Sequence, residues 1–528
     1  MKLKTLALVT AFALLATSNT AARQDSGSPH VHLGPLESEP PLQIGNRKQL
    51  LVDNHVLAAW YNVKRVQAVL RKHPANPLME ADAPWEETAR KSWGIQLGTA
   101  IYDPRDRKFK IWYQIEQHTG GNVAAYAESE DGVTWVKPDL GLVRYQGTMR
   151  NNVLRHSDHL GNRPLAGAIR LIQDPRERPP ERRFLTCGVP PYHRDGGKFG
   201  GWNGMAYSAD GLTWHQMPGG LRGGGGGGNP SIVWDENLEK YVLFHRQLTE
   251  KADPETGTGP RYIVRQESPD LVKWSPRQTV FHPMSERWPE VESMQVIRYQ
   301  GVYLGLPSML DNYVRGDVEQ HLIVSRDGYR WDHPFPKEAF IPQGEEGSWD
   351  DRIIWWPSMI VHGEKMLFYY AGARYNHGSK NVPLDRRQIR IGLGSVPRDR
   401  LMGLRNREVL EGKGAFLTRP IVVEGDELLV NADIGGELRV ELVDPTGRQF
   451  DTGKKVHMSH YIGAAEQKLE GFRREDCDVI RGDELAHRVT WQGRSLASLR
   501  GKAVRLRFLF RDATIWSFQV ADPRKSVR

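Results

Sequence analysis

The sequence predicts an all-β protein, a five-bladed β-propeller followed by a β-sandwich domain, on three observations. A turn of the type Ser-x-Asp-Gly-x-x-Trp recurs along the chain, each copy follows the same succession of short apolar strands, and beyond Arg398 the pattern becomes one of longer alternating strands. The turn reads SEDGVTW from Ser129, SADGLTW from Ser208, SPDLVKW from Ser268 and SRDGYRW from Ser325, with a degenerate copy, SVPRDRL, from Ser395; the intervals run from 57 to 79 residues. In each box the Asp, such as Asp131, suits turn amides as an acceptor, Gly132 supplies a positive φ, and Trp135 or Trp331 can cover a seam between sheets. The boxes are structural punctuation and hold no catalytic group.

From the N-terminus, residues 1–22 carry Lys2 and Lys4, an apolar run from Leu6 to Ala16 and small residues up to Ala22. This pattern predicts a cleaved secretory signal, hence a secreted or periplasmic protein; the alternative is an uncleaved N-terminal anchor. The run is shorter than the roughly 20 residues of a membrane span, so no transmembrane segment is expected. Residues 23–43, rich in Ser, Pro and Gly, predict a disordered linker. The propeller is placed at 44–400, its lead-in packing on the blades and completing the last of them.

The cleanest repeat is PSIVWDENLEKYVLFHRQL, in which Ser231 to Trp234 and Tyr241 to His245 read as two strands around a tight turn, with RYIVRQES as the third. Four further copies follow that template, and small sheets repeating at this period need neighbours to bury their faces, which is the signature of a propeller. Residues 401–528 alternate apolar and polar positions between Gly-Asp and Pro-Thr-Gly turns, as a β-sandwich does.

The formal net charge is +8, with basic residues dispersed among almost as many acidic ones and no long Lys/Arg block. Nucleic acid is thereby disfavoured as a partner, whereas an acidic polysaccharide stays open. The two cysteines, Cys187 and Cys477, are far apart and suit small buried apolar positions. No spacing suggests a metal site or a cofactor. The glycine run Gly223 to Gly228 lacks the Lys-Ser/Thr of a phosphate loop and reads as a flexible rim loop. A monomer is expected.

The segments LLVDNHVL, NPLMEADAPWE, SEDGVTWVKPDLGLVRYQG, FIPQGEEGSWDD, YYAGARYNHG and VRLRFLFRDATIWSF together resemble secreted bacterial proteins related to glycoside hydrolase families 32 and 43. The resemblance implies five-bladed propellers with a shallow axial pocket whose carboxylates cleave glycosidic bonds. The Asn-Asp-Pro-Asn, Arg-Asp-Pro and Glu-Cys motifs of family 32 are absent as such, so no role is carried over by motif.

Candidates therefore come from position. Glycoside cleavage ordinarily uses two carboxyl groups roughly 5–5.5 Å or 6.5–9.5 Å apart, and in a propeller the place to seek them is just before each first strand. Glu86, with Glu87 beside it, precedes blade one; Glu290 and Glu292 open blade four; Asp350 and Asp351 precede blade five. Glu292, on an otherwise apolar strand, is the expected acid, with Asp350 or Glu86 as partner; an ion pair at a strand end and an Asx-turn cap are the structural alternatives. Arg374, His377, Trp349, Asn229 and Arg246, with Glu290 and Asp351, are the expected substrate contacts, and Trp355 and Trp356 could stack on a sugar. The function expected is that of a glycoside hydrolase-like enzyme. A non-catalytic glycan-binding propeller and a sialidase-like hydrolase are the alternatives.

Overall fold

A computed structural model describes residues 31–33 and 40–525, apart from residues 91–92, 117–121, 159–160, 177, 190–203, 218–228, 249–259, 284, 312–314, 378–382, 384–386, 410–411 and 446–467. The expected signal segment and the glycine run lie outside the described residues. Among the described residues nearly everything ordered is β, and the single α-helix is the one-turn Glu87–Arg90. No helix there is long and apolar enough to cross a membrane.

Five antiparallel units succeed one another along the repeats. Unit one is Ile95–Asp103, Lys108–Ile115 and Val123–Ser129; unit two is Arg170–Leu171, Phe184–Val189, Gly204–Ser208 and Thr213–Gln216. Unit three is Ser231–Asp235, Lys240–Leu248, Arg261–Ser268 and Gln278–Phe281. Unit four begins with Glu290–Tyr299 and Val302–Asp311, and unit five is Ile353–His362, Lys365–Ala373, Arg390–Pro397 and the distant Arg71–Lys72. The second strands bury nearly every residue, as β-branched and aromatic runs such as FKIWYQI and YVLFHRQ demand.

The first strands meet one another in order and return to the start. Hydroxyl side chains make several of these joins. Ser358 Oγ bonds both the amide and the carbonyl of Ala100, Thr99 Oγ1 donates to Ile169 O and accepts from Leu171 N, and Ser231 Oγ donates to Val296 O. Units two and three join through Gln173 N to Ile232 O at 3.0 Å, and units four and five through Gln320 Nε2 to Ile354 O at 2.8 Å. Small hydroxyls satisfy strand edges that a larger apolar side chain would leave bare.

The boxes lock the outer seams. Asp131 Oδ1 accepts from Val133 N and Thr134 N at 2.7 Å each, Ser129 Oγ accepts from Gly132 N, and Asp210, Asp270 and Asp327 repeat the scheme. The Thr134 amide is the chief cause that holds the Asp131 carboxyl down to about 2. Tyr369 OH donates to Gly132 O, and Trp112 Nε1 donates to Gly211 O, each an aromatic from the preceding unit. Gly211 has φ +80°, and a Cβ there would stand 2.7 Å from Trp112 Cζ2. Gly211→Ala is therefore expected to cost about 2–4 kcal/mol, from the left-handed backbone and the forced contact together. Gly141→Ala, at φ +61° with nothing within 4 Å, should cost only about 1 kcal/mol, and urea denaturation of the two variants checks the difference.

The C-terminal strands build a second sheet on Glu427–Val443, Ile480–Val489 and Ala503–Ala521. The lead-in divides between the two bodies, unlike the sequence expectation that it would all join the repeats. Gln49–Leu50 pairs with Ala503–Ala521, Leu57–Tyr61 with Lys413–Thr418, and Val63–Gln67 with Met402–Asn406; only Arg71–Lys72 completes unit five. The reason is burial: Leu51, Val56, Leu57 and Val63 pack into the core of the C-terminal sheet. Val31–Leu33, inside the segment expected to be disordered, also pairs with Leu57–Tyr61. Cys187 and Cys477 are both buried and unbridged, as small apolar residues would be.

Candidate functional site

Three of the five first strands are interrupted at comparable depth. The register slips between Leu97 and Thr99 in unit one, between Val291 and Ser293 in unit four, and between Trp355 and Ser358 in unit five. The extra residues are Gly98, Glu292, and Trp356 with Pro357. A bulge re-aims the side chain it carries, and Pro357, with no N–H to give, belongs at such an interruption. Trp356 accordingly takes φ +48°.

Glu290 and Glu292 are buried here, each held by one arginine of unit three. Arg261 Nη1 donates to Glu290 Oε2 at 2.5 Å, and Arg246 Nη1 donates to both Glu292 Oε1 and the Glu292 carbonyl. The second carboxyl oxygens, Glu290 Oε1 and Glu292 Oε2, have no hydrogen-bond partner among the described residues. Nor have the Trp355 and Trp356 indole N–H groups, Tyr375 OH or His377 Nδ1. A buried polar atom without a partner is costly to the fold unless water or a ligand takes it up.

The loop Tyr375 to His377 crosses this region after the second strand of unit five. His377 N donates to Gly316 O at 2.7 Å, and its ring meets Trp355 edge-on at 6.0 Å. Burial lowers the His377 pKa, although the nearby Glu292 charge opposes the shift, so the imidazole is neutral at neutral pH. Trp355 and Trp356 stack at 4.9 Å. Arg170 lies against the Trp356 ring at 5.5 Å and donates to Leu97 O at 2.7 Å and to Gly98 O. Its burial brings the guanidinium down to about 9, a fall that the Glu292 charge opposes. A cavity of about 650 Å³ bounded by Gly98, Arg170, Ser231 and Pro357 extends away towards Gln295, Arg298 and Tyr299. Neither Glu290 nor Glu292 lines it.

The structure thus groups Glu290, Glu292, Arg246 and His377, and shows partners of their own for several of the other expected residues. Asp350 accepts from Lys72 Nζ at 2.6 Å and Tyr370 OH at 2.9 Å, and Trp349 stacks on Tyr370 at 5.7 Å, so both pack unit five against its closing strand. Glu86 is wholly buried, taking Tyr113 OH, Lys137 Nζ and the Ala83 amide. Glu86 and Asp350 thus each have lysine and tyrosine partners of their own, as Glu290 and Glu292 have arginines. The physical reason is that both sit where the chain enters a unit, and there a carboxylate caps turns. Asp351 accepts from Gly347 N, Arg374 is exposed, and Asn229 offers its carbonyl to Gln295.

Sequence reasoning missed Arg261, Arg170 and Glu116. Glu116 follows the second strand of unit one, where Gln96 and Gln114 both donate to its Oε1. The available signal was register: second strands leave at the rim where first strands begin, and Glu116, Arg246 and Tyr375 are the polar residues at those exits.

No family model matches the chain, and neither does any curated protein sequence. Among solved structures the chain is similar to a glycoside hydrolase (14% identity over 62% of this chain and 92% of that one, TM-score 0.43). It is also similar to the catalytic domain of a GH62 α-L-arabinofuranosidase from Coprinopsis cinerea (13%, 63% and 99%, TM-score 0.42). A third is a sucrose-6-phosphate hydrolase from Lactobacillus gasseri (11%, 81% and 94%, TM-score 0.35). At such values the chemistry of the chain has to be read from its own side chains.

Proposed function

We propose that the chain is an exported five-bladed propeller, braced by a C-terminal β-sandwich, that cleaves glycosidic bonds at the hub of its five units. One observation carries the reading: two buried carboxylates two residues apart on the first strand of unit four, each gripped by arginine through one oxygen and open through the other. An arginine-paired carboxylate suits a base or nucleophile better than the proton donor expected of Glu292 from burial alone. Trp355 and Trp356 offer apolar faces to a sugar ring and indole N–H groups to its hydroxyls. With Arg170, Arg246 and Arg261 set against two glutamates, the site favours an acidic glycan, recognised as a monomeric enzyme would recognise it, without a second chain.

The test is a panel of neutral and acidic polysaccharides incubated with the purified protein, with new reducing ends as the readout. Release of reducing ends from an acidic glycan is the expected result. Saturable binding without cleavage would instead identify a non-catalytic glycan-binding propeller.

A further inference from the structure

We infer that the segment from Asp174 to Arg183 forms a second binding surface on unit two, for an acidic polysaccharide, apart from the carboxylates of unit four. The inference takes from the proposed function only the class of ligand. In sequence the segment, DPRERPPERR, is nearly balanced, with four arginines against three acids. Folding unbalances its surface. The Asp174 side chain is wholly buried, where it accepts from Arg176 at 2.9 and 2.7 Å and from Tyr241 OH at 2.8 Å. The Arg176 side chain nevertheless stays 45% exposed, and Arg182 is exposed as well.

Each arginine is held in place. Arg176 lies over the Trp234 ring, with Cζ 3.3 Å from the ring centre. Its Nε and Nη2 are engaged by Asp174 and Tyr241, which leaves Nη1 without a partner among the described residues. Arg178 bonds Asp174 O at 3.1 Å and pairs with Asp174 Oδ2 at 3.4 Å. Arg182 rests against the Tyr207 ring at 5.2 Å, and its side chain makes no hydrogen bond or ion pair among the described residues. Pro175, Pro179 and Pro180 fix φ along the segment, and Arg182 N donates to Pro179 O at 2.8 Å. The guanidinium groups therefore have little conformational freedom left to lose on binding.

The surface is concave. A depression of about 340 Å³ bounded by Arg176, Arg178, Arg182 and Tyr241 shares Arg178 and Leu185 with the cavity of about 650 Å³, whose wall adds Arg183 and Arg298. Asp270, also on this lining, is engaged in its own box by Val272 N and Lys273 N at 2.9 and 2.8 Å. Glu181 and Glu236 are the remaining acids of the described lining besides Asp174. Chain direction separates this surface from the carboxylates. Glu290 opens the strand Glu290–Tyr299, whereas the larger cavity reaches Arg298 and Tyr299 at its far end, and ten extended residues span roughly 30 Å.

The lining selects among polyanions. A carboxylate or sulfate needs only the edge of a guanidinium, but a nucleic-acid base needs an open aromatic face. Trp234 and Tyr241 are only 8% and 7% exposed, and Arg176 lies over both rings. A sugar polymer carrying oxyanion groups is thus the ligand that the chemistry fits.

The experiment measures binding of the full chain, at physiological ionic strength, to polygalacturonate, a sulfated galactan, neutral dextran and duplex DNA. Wild type is expected to bind an acidic polysaccharide and neither dextran nor DNA, and the first two ligands tell carboxylate from sulfate. Arg182→Glu, which disturbs no ion pair, should weaken that binding about tenfold. Arg150→Glu makes the same charge change at a side chain 88% exposed and outside this lining, and should weaken it less than about twofold. Arg176→Gln should also weaken it, with circular dichroism as the check on folding. No binding by wild type, DNA bound as tightly as the glycan, equal losses in Arg182→Glu and Arg150→Glu, or unchanged affinity in Arg182→Glu would each overturn the inference. Cleavage is not the readout, so a protein that releases reducing ends while Arg182→Glu binds like wild type loses this surface alone and keeps its hub.

Discussion

Glu292→Gln is expected to lower kcat/KM about 10²- to 10⁴-fold on any glycan that the wild-type protein cleaves. The amide keeps the shape of the side chain but can neither attack an anomeric carbon nor take a proton from water. Arg246 keeps the Glu292 carbonyl as an acceptor at 3.2 Å but loses its counter-charge, and a buried pair broken from one side can cost about 3–5 kcal/mol. Rates therefore need comparing well below the melting temperature, with near-ultraviolet circular dichroism as the check on packing. Asp350→Asn supplies the contrast. It weakens the contacts to Lys72, 24% exposed against 3% for Asp350, and to Tyr370, and should lower the melting temperature while leaving kcat/KM within about threefold, since both partners belong to the packing of unit five. A fully active Glu292→Gln protein, or an inactive but stable Asp350→Asn protein, would move the chemistry away from unit four.

The repeats were legible because their signal is local. An Asx-type turn states its own hydrogen bonds within seven residues, and each of the four clear boxes forms as its sequence requires, even that of unit three, where Leu271 stands at φ +64° in the place of glycine. Glu290, Glu292, Arg246 and His377 were legible for a related reason: polar residues inside or beside an apolar strand run are conspicuous. What sequence alone could not give was pairing across distance. Glu86 and Asp350 stand out in the sequence as acids before a strand, but their partners Lys137 and Lys72 lie 51 and 278 residues away. Arg261 and Glu290 are separated by 29 residues and a strand reversal. The bulges are of the same kind: one extra residue in a strand leaves the apolar pattern nearly intact, yet it re-aims the side chain it carries.

A comparably large expected effect on stability lies in the C-terminal sheet, at Arg507. Its guanidinium donates to Glu441 Oε1 at 2.5 Å across the register pair of the two long strands, and both side chains are only 2% exposed. Burial lowers the Arg507 pKa, an effect that the Glu441 charge opposes. Arg507→Met removes the principal partner of a buried carboxylate, leaving Glu441 with Lys468 at 3.3 Å, and is expected to cost about 3–5 kcal/mol in urea denaturation. Glu441→Leu combined with Arg507→Met should recover most of that loss, because an apolar pair of similar volume replaces the ionic one at little net cost. The damage should reach the hub. The lead-in runs from the C-terminal sheet through Val63–Gln67 directly into Arg71–Lys72, the closing strand of unit five, and Asp53 holds Arg326 in the box of unit four at 2.7 and 3.0 Å. Loosening the sheet thus loosens the two units that carry Glu292, Trp355 and Trp356. Glycan cleavage and intrinsic tryptophan fluorescence are expected to disappear together in a single urea transition for Arg507→Met, at a lower midpoint than wild type. Two separate transitions, with the hub surviving the first, would show instead that the C-terminal sheet folds and fails without consequence for the site.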